Sequence, residues 1–387
     1  MISLFGDVNN LNSRVCKINR AFKNTAIFIT SDFSHAKKKY KEIFKIDKKH
    51  RDSTVYLTVP SYSKNLSLGR FYSHLVFSYK LKNYLKNLVE KPDIIICSMP
   101  TSSAAYIAAR YCKKNNIIFV VDVIDLWPDS LMPLIKYKLV FKILTFPWRF
   151  ITEKAYQMAN YISGESKFYA SVAHNLNPTV PWSYTYLGVN IDQANKLIQQ
   201  SKLNLIKPTN EIWICYGGSL GNSYDFDSVL NAIKYIHEKN ISYRMFFVGE
   251  GEKRNLIEKY KNENSLNIEI TGRMEYMDYL KYLSVSDIGI NSFLEGSLVA
   301  HSFKFNDYIA SNLFILNNLV GETAEMVTKY KIGLNFNKNN LHEILYDVCI
   351  NWHNYKTYNF NLDKLISAEL DTNTIYKELA DNILKTI

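Results

Sequence analysis

The sequence has no apolar run of the roughly 18 residues that a transmembrane helix needs. The N-terminal residues MISLFGDVNN also lack the apolar core of a signal peptide. Five cysteines are scattered without the spacing of metal ligands: Cys16, Cys97, Cys112, Cys215 and Cys349. They are typical of reduced, mostly buried thiols, so we expect a cytoplasmic protein.

Acidic residues are scarce in the first half of the chain. The formal net charge is +11, and the excess of basic residues lies in residues 1–180, whereas residues 181–387 are mildly acidic. Such an uneven balance indicates different partners for the two halves. No helix-turn-helix, zinc-finger or RRM signature accompanies the basic residues, so we expect no nucleic acid. An anionic membrane surface or a phosphorylated acceptor fits the charge.

Length and composition predict two folded domains. A chain of 387 residues exceeds the ~250–300 residues at which single cores stop growing, and 47% hydrophobic with 21% charged residues is a globular composition. Short apolar runs alternate with helical stretches, which predicts parallel sheets of βαβ units with ligands beyond the carboxyl ends of strands. The runs are 25–30, 54–59, 93–98, 116–124 and 160–164, then 211–216, 243–249, 267–272, 286–291 and 313–317.

Two segments differ from this alternation. Residues 191–210 are polar and contain Pro208, which is typical of a connection between domains. Residues 131–150 mix Leu, Ile, Phe and Trp with basic residues and have no acidic one. They fit an amphipathic element at a membrane surface and also a core helix whose lysines reach solvent.

Residues 211–226 read EIWICYGGSLGNSYDF, a strand-like run that ends in Gly217, Gly218 and Gly221 before a helical stretch. Strand, glycine turn and helix form a layout that points backbone N–H groups and a helix N-terminus at a phosphate. The turn is neither a P-loop nor G-x-G-x-x-G. A tight connection without a ligand is the alternative.

Seven stretches follow one another along nearly the whole chain. They are ITSDFSHAKK (29–38), VVDVIDLWPDS (120–130), YLGVNID (186–192), YGGSLG (216–221), FFVGEGEKRNL (246–256), ITGRMEYMDYLKYLSVSDIGIN (270–291) and SFKFNDYIASNLFILNNLVGETAEMV (302–327). In this order and spacing they resemble the GT-B glycosyltransferases of family 4, particularly the branch that builds bacterial surface polysaccharides.

The resemblance implies an α/β fold of two Rossmann-like, doubly wound domains facing across a cleft. Residues 1–190 would form the acceptor-binding domain, 191–210 the linker, and 211–365 the domain that binds a nucleotide sugar. Residues 366–387 would form a C-terminal helix that crosses back to the N-terminal domain.

On the donor side, SFKFND resembles the family's Pro-Asn-Lys-x-x-Glu-Tyr stretch, with Lys304 in the lysine position and Asp307 in the glutamate position. The resemblance implies that the ammonium neutralises the leaving diphosphate and that the carboxylate accepts hydrogen bonds from the ribose. On a helix the two would share a face, where a surface ion pair is the alternative. Further donor-binding residues implied in this way are Gly217, Gly218, Gly221, Gly249, Arg273 and Glu322.

The sequence departs from the family pattern in two places. The family has two glutamates separated by seven residues, and Val299 stands eight positions before Asp307. Glu295 is the candidate for the first, catalytic glutamate only if four residues are inserted. The family often has a lysine just after the glycine turn, and SYDFD has none, which leaves Lys304 and Arg273 as the candidate cations.

On the acceptor side, Asp125 ends its strand in the position where related enzymes carry a cleft-facing His or Asp. A carboxylate there can bind an acceptor hydroxyl and assist its deprotonation, or it can cap the following turn. Trp127 would shape the wall beside it. His35, in the loop after residues 25–30, is another acceptor-side candidate.

The resemblance thus implies a cytoplasmic enzyme, peripheral on the inner membrane face, that moves a sugar from a nucleotide diphosphate to a lipid-linked saccharide. The product would be a capsule or O-antigen type polysaccharide, made with retention of configuration and without a metal or other cofactor. Two alternatives stay open. A non-hydrolysing sugar-nucleotide epimerase shares the architecture, and the missing glutamate spacing favours a non-catalytic sugar-nucleotide or polysaccharide-binding partner.

Overall fold

The computed structural model describes residues 1–6, 13–23, 25–35, 37–43, 48, 53–64, 67–357 and 360–386. It divides into two compact units. The first comprises residues 1–186 together with the C-terminal segment from residue 372, and the second comprises residues 187–371.

The first unit contains a parallel sheet with a small antiparallel ribbon. Its described strands are β1 (Phe28–Ser31), β2 (Phe33–Ser34), β3 (Lys39–Tyr40), β4 (Thr54–Leu57), β5 (Ile94–Ser98), β6 (Ile118–Val123), β7 (Tyr161–Gly164) and β8 (Trp182–Tyr184). The helices up to β8 whose bounds lie in the described ranges are α1 (Arg14–Ala21), α2 (Leu68–Lys86), α3 (Ser102–Asn115), α4 (Lys138–Leu144), α5 (Phe146–Gln157) and α6 (Lys167–His174), with a 3-10 turn at Asp129–Leu134.

The parallel sheet of the first unit has a reversal in its strand order. β4 pairs with β1, and β5 to β8 pair in sequence. Ile2 bridges β1 at Ile29 and β5 at Cys97, so the N-terminal segment is the strand between them. The order therefore reverses beside the N-terminal segment, where Phe5 and the loop after β5 meet at one edge.

The second unit contains one six-stranded parallel sheet. Its strands are β9 (Ile212–Gly217), β10 (Tyr243–Val248), β11 (Ile268–Ile270), β12 (Ile288–Asn291), β13 (Phe314–Asn317) and β14 (Gly333–Asn335). Its helices are α7 (Ile191–Gln200), α8 (Phe226–Glu238), α9 (Arg254–Glu263), α10 (Tyr276–Ser284), α11 (Phe303–Ala310), α12 (Glu322–Tyr330), α13 (Leu341–Ile350), α14 (Trp352–Tyr355) and α15 (Phe360–Leu365), with a π-helical turn at Ile366–Leu370.

The last helix, α16 (Thr372–Leu384), belongs to the first unit although it follows the second in sequence. Tyr376 and Ile383 of α16 join Ile18 of α1 in a core cluster against Val120 and Tyr161 of the sheet. Apolar burial of this kind stabilises by about 25 cal/mol per Å², so we expect α16 to contribute to the stability of the first unit.

All ten apolar runs that the sequence analysis picked out overlap strands, in two parallel sheets. The segment 191–210, expected to be a linker, holds the helix α7 and belongs to the second unit. The strands β8 and β14 and the bridge at Ile2 were missed, because they are three residues long or shorter and carry no recognisable period. Within the described ranges, no helix is both long and apolar enough to span a bilayer.

Candidate functional site

The strand order of the second unit, β11-β10-β9-β12-β13-β14, reverses between β9 and β12. In open parallel sheets, ligands bind outside the carboxyl ends of the strands at such a reversal. The loops that follow β9 and β12, residues 218–225 and 292–302, are therefore the place to look for a site.

Lys304 is buried beside these loops in a box of aromatic rings. Its Nζ lies 3.7 Å from the ring centre of Tyr224, 4.1 Å from that of Tyr216 and 4.9 Å from that of Phe293. Nζ donates a 2.7 Å hydrogen bond to the Tyr216 hydroxyl, which itself donates to the Ser219 carbonyl at 2.9 Å. Burial lowers the pKa of the ammonium well below its ordinary value, and no described carboxylate offsets that burial.

A buried polar network fixes the start of α11, the helix that carries Lys304. Ser302 caps this helix by accepting a 3.2 Å hydrogen bond from the Phe305 N–H, and it donates to Asn291 Oδ1 at 3.1 Å. Asn291 in turn donates to Asn317 Oδ1 at 2.8 Å. Because Asn291 and Asn317 end the adjacent strands β12 and β13, the helix start is anchored to the sheet.

The glycines near the end of β9 permit close packing. A Cβ atom on Gly217 would lie 2.4 Å from the Tyr279 ring, and one on Gly249 would lie 1.7 Å from the Gly218 carbonyl oxygen. Neither position can hold a side chain without a shift of its surroundings. The Cε of Lys304 lies 3.8 Å from where a Cβ of Gly218 would be, so the predicted residues Gly217, Gly218, Gly249 and Lys304 do lie together.

The first two backbone N–H groups of this turn donate hydrogen bonds within the protein. The Gly217 N–H donates to the Tyr308 hydroxyl at 3.0 Å, and the Gly218 N–H donates to the Val248 carbonyl at 2.9 Å. These two groups therefore hold neighbouring elements together, as in the tight connection that the sequence left open.

The N-terminus of α8 is also occupied. The helix begins at Phe226, and Asp225 caps it by accepting a 3.0 Å hydrogen bond from the Ser228 N–H. A carboxylate complements the positive end of a helix dipole and repels another anion. The layout of strand, glycine turn and helix suggested a phosphate cradle, and in the structure the helix that follows the turn begins with a carboxylate cap.

Asp307 lies three residues after Lys304 and has different partners. Its Oδ1 accepts a 2.6 Å hydrogen bond from the Tyr276 hydroxyl, and the Tyr276 ring stacks on Tyr279 with centroids 5.8 Å apart. Burial and the neighbouring Asp307 carboxylate raise the pKa of Tyr276, so its hydroxyl keeps its proton. Lys304 and Asp307 thus flank the glycine turn with separate hydrogen-bond partners.

The other donor-side candidates are less enclosed. Arg273 is exposed after β11, and Glu322 is the first residue of α12. Glu295 forms a 3.0 Å ion pair with Lys338, in which both side chains are more than half exposed. Such a pair contributes about 0–1 kcal/mol. Gly221 lies beside the loop after β10, where a Cβ would be 3.5 Å from Glu252 Oε2.

In the first unit, Asp125 follows β6 and is half-buried. Its Oδ1 accepts a 2.7 Å hydrogen bond from the Leu126 N–H, which is the turn-capping role. Burial raises the pKa of the carboxyl, although hydrogen bonds and the Arg70 charge act in the opposite direction. A carboxylate with a raised pKa is a better proton acceptor, so capping does not preclude work on an acceptor hydroxyl.

Trp127 and His35, predicted separately on the acceptor side, belong to one group of side chains, here named the Arg70 cluster. It consists of Phe5, His35, Lys38, Tyr62, Arg70, His74 and Trp127. The Arg70 guanidinium lies 3.8 Å from the Trp127 ring centre, and the His35 Nδ1 lies 2.7 Å from the Tyr62 hydroxyl oxygen. The cluster therefore brings residues that follow four strand segments, the N-terminal segment, β2, β4 and β6, together with residues of α2.

A second buried charge network lies at the ends of β6 and β7. Arg14 Nη2 donates to Asp122 Oδ1 at 2.7 Å and to the Ser163 hydroxyl at 3.2 Å, and Arg14 Nε contacts both Asp122 oxygens. Glu165, which follows β7, is 6% exposed, and burial raises the pKa of its carboxyl to about 8. The nearby Arg14 charge lowers that pKa and the Asp122 charge raises it.

Sequence reasoning missed several of these residues. Arg70 and His74 lie on the long helix α2, and Tyr276 lies at the start of α10, far along the chain from the residues they contact. Such contacts leave no local pattern. Among these missed residues, only Tyr224 could have been found from the sequence, because it lies next to the glycine turn.

Comparison with known proteins gives the fold. No family model matches the chain, and no curated protein sequence matches it. Solved structures match it over nearly its full length, and they place its fold among the GT-B glycosyltransferases.

Three of these structures illustrate the match. HepE of Anabaena in complex with UDP-glucose has a TM-score of 0.68 at 13% identity, covering 100% of this chain and 98% of its own. WaaG, a glycosyltransferase involved in lipopolysaccharide biosynthesis, has a TM-score of 0.67 at 11% identity, with coverage of 98% and 96%. Sucrose-phosphate synthase of Thermosynechococcus elongatus has a TM-score of 0.70 at 12% identity, with coverage of 99% and 97%. At these identities the likeness establishes the fold.

Proposed function

We propose that the protein is a glycosyltransferase that moves a sugar from a nucleotide diphosphate to a lipid-linked saccharide in the synthesis of a bacterial surface polysaccharide. The observation that carries this proposal is the match of the whole chain to the GT-B fold, with Lys304 buried at the strand reversal of the second unit. HepE binds UDP-glucose, and WaaG acts in lipopolysaccharide biosynthesis, which supports a nucleotide-sugar donor and a surface glycan.

The donor would bind the second unit. The N–H groups of Gly217 and Gly218 are already engaged, so neutralisation of the leaving diphosphate falls mainly on Lys304, with Arg273 as a second cation. A nearby anion favours the charged form of a buried lysine, so binding of the diphosphate would favour uptake of a proton by Lys304. Asp307 would accept hydrogen bonds from the ribose, as the resemblance implies.

The acceptor would bind the first unit, with its hydroxyl near Asp125. The raised pKa of this carboxyl suits a proton acceptor at neutral pH. In line with the family resemblance, the proposal includes retention of the anomeric configuration and independence of a metal.

The first unit would dock on the inner face of the membrane through α4, α5 and α2. α4 buries none of its residues, so it is not the core helix that the sequence left as an alternative. α5 adjoins α2 where the Trp148 ring meets Phe71, with centroids 4.8 Å apart. The large apolar residues exposed on the three helices are Leu68, Phe71, Tyr72, Leu75, Tyr79, Leu139, Val140, Ile143, Leu144, Phe146 and Phe150.

The lysines beside this surface favour anionic lipid. Lys136, Lys138 and Lys142 are exposed, whereas Arg149 is ion-paired with Asp129. Each basic residue near an anionic membrane contributes about 1 kcal/mol. Changing the three lysines to Gln should therefore weaken binding to anionic vesicles strongly, and the loss should shrink at high salt.

Co-sedimentation with vesicles measures this docking. The matched control changes three exposed basic residues of α3, Arg110, Lys113 and Lys114, to Gln. The proposal is contradicted if parent, variant and control bind anionic and neutral vesicles alike.

A donor panel tests the reaction itself. The protein is incubated with nucleotide sugars, with and without a lipid-diphosphate saccharide, and in the presence and absence of a chelator. Nucleotide release that needs the acceptor and survives the chelator supports a metal-independent transferase. Isomerised donor without acceptor would indicate an epimerase, and saturable binding without turnover would indicate a binding partner.

A further inference from the structure

The Arg70 cluster gathers cationic side chains at the strand reversal of the first unit. Phe5 follows the N-terminal strand segment, Trp127 follows β6, and Arg70 and His74 come from α2. In an open parallel sheet this edge is where a ligand binds. The position of the Arg70 cluster in the first unit therefore corresponds to that of Lys304 and its surrounding aromatic rings in the second unit.

Arg70 is the centre of the cluster. It is 6% exposed, with its guanidinium 3.8 Å from the Trp127 ring centre and 5.1 Å from that of Phe5. The His74 ring is stacked with the Trp127 ring, within 12° of parallel at a centroid distance of 6.2 Å. The aromatic rings around Arg70 restrict the position of its guanidinium, a planar group suited to bidentate contact with an oxyanion.

The second side of the cluster carries three more polar groups. His35 Nδ1 lies 2.7 Å from the Tyr62 hydroxyl and 3.3 Å from Lys38 Nζ. Lys38 Nζ also lies 4.9 Å from the Tyr62 ring centre. An ammonium, an imidazole and a phenol are thus held within contact distance of one another.

The charges of the cluster act against each other. Burial, together with the Arg70 and Lys38 charges, lowers the pKa of His35 to about 3. Burial, together with the Arg70 charge and His35, lowers the pKa of His74 to about 3. Burial lowers the pKa of Arg70 to about 10. Among the described residues, Tyr62 and the Asp125 carboxylate act in the opposite direction on the pKa of Arg70. The lowered pKa values of the two histidines and of Arg70 indicate that positive charge is disfavoured here, and a bound anion would offset this.

His74 provides an independent sign of a ligand site. Its side chain is 7% exposed, and its Nε2 has no hydrogen-bond partner among the residues that the structure describes. A buried polar atom left without a partner costs about 1–3 kcal/mol. An oxyanion bound by the cluster would supply the missing acceptor.

We propose that the Arg70 cluster binds a phosphate-type oxyanion of the acceptor substrate, an inference that rests on the proposed function. The phosphate could belong to the diphosphate of a lipid carrier or to a sugar phosphate. Arg70 would bind two of its oxygens, Lys38 would supply a second charge, and His74 and Tyr62 would donate hydrogen bonds. Asp125, whose carboxyl interacts with Arg70, would then lie near the acceptor hydroxyl.

The test follows binding at the histidines themselves. Pyrophosphate is added to protein with 13C-labelled histidine, and the imidazole signals of His35 and His74 are followed by NMR. They should shift in a saturable way, whereas the signal of His342, on α13 of the second unit, should stay in place. Lys304→Met serves as background, so that binding at the donor side does not enter the measurement.

Two variants and one control decide the assignment. Arg70→Lys keeps a positive charge but loses the bidentate contact. Lys38→Gln removes a charge from a half-buried side chain. Each variant should bind pyrophosphate more weakly than the parent, on the order of tenfold. Arg110→Gln, on the exposed face of α3, should bind as the parent does. The inference is overturned if pyrophosphate leaves the His35 and His74 signals unchanged, or if both variants bind it like the parent.

Two further probes identify the source of the phosphate. A short-chain polyprenyl diphosphate represents the lipid carrier, and a hexose phosphate represents a sugar phosphate. The probe that binds with the higher affinity identifies the source of the phosphate. Donor turnover is measured in parallel. If the cluster binds phosphate but the protein turns over no donor, the anion site stands and the proposed transferase function is refuted. If the protein turns over donor but the cluster binds no phosphate, the transferase function stands and the anion site is refuted.

Discussion

Replacing Glu165 by Gln should stabilise the first unit at neutral pH, by an amount that grows as the pH rises. Glu165 is 6% exposed at the end of β7, and Arg14 is already bound to Asp122 through two nitrogens. Burial raises the pKa of Glu165 from 4.5 to about 8, because the nearby Arg14 charge offsets the loss of water only in part. The side chain is therefore protonated in the folded protein at pH 7.

The sign and size of the effect follow from proton linkage. Between pH 4.5 and about 8, the folded state holds a proton that the unfolded chain has released. Raising the pH through this window therefore favours unfolding, by about 1.4 kcal/mol per pH unit. At pH 7 the accumulated loss is roughly 3 kcal/mol relative to acid conditions. Gln has no proton to release, so the variant avoids this loss.

Urea unfolding at pH 5.5, 6.5 and 7.5 measures the difference, with hydrogen exchange of β7 and α6 reporting on the first unit separately. The free energy of unfolding of Glu165→Gln minus that of the parent should rise by about 1.4 kcal/mol per pH unit. Glu153→Gln, at an exposed position of α5 in the same unit, should show no such trend. A difference for Glu165→Gln that stays level over this range would show that Glu165 is ionised when folded, and would refute the reasoning.

Three more perturbations test other parts of the structure. Lys304→Met keeps the apolar stem inside the aromatic box and should lower kcat on the order of 100-fold. Calorimetry in two buffers should also show that this variant loses the proton uptake that accompanies UDP binding. The parent and the control Lys234→Met, at a half-buried position of α8, should retain that uptake. Equal turnover of all three proteins would contradict the donor role. Asp225→Ala removes the cap of α8 and should cost about 1 kcal/mol of stability in the second unit without weakening UDP binding; a loss of UDP affinity in a folded variant would argue against a purely capping role. Asp122→Asn leaves the Arg14 guanidinium buried without its counter-charge. The free energy of unfolding of the first unit, measured with urea, should fall by about 3 kcal/mol or more. A change under 1 kcal/mol would show that the Ser163 hydroxyl and backbone acceptors suffice to hold the buried guanidinium.

The sequence by itself determined the fold class. Apolar runs of five to nine residues between helical stretches are a local property. They predicted two parallel sheets because a strand buried on both faces must be apolar along its length. Glycines at 217, 218 and 249 could also be located, since the absence of a side chain is visible in the sequence. The motif around Lys304 and Asp307 was found by its resemblance to a family stretch, and its two residues lie within one helical turn.

Only the tertiary structure decided what these residues contact. The glycine turn looked like a phosphate cradle in the sequence, but the Gly217 N–H is bound to Tyr308, ninety-one positions away. The sequence did not indicate that Arg70 and Trp127 are neighbours, whereas in the fold the Arg70 guanidinium lies 3.8 Å from the Trp127 ring centre. Burial, charge crowding and hydrogen-bond partners depend on residues that are distant in sequence, and periodicity carries no record of them. The enclosed Lys304, the raised pKa of Glu165 and the Arg70 cluster are therefore properties of the packed chain.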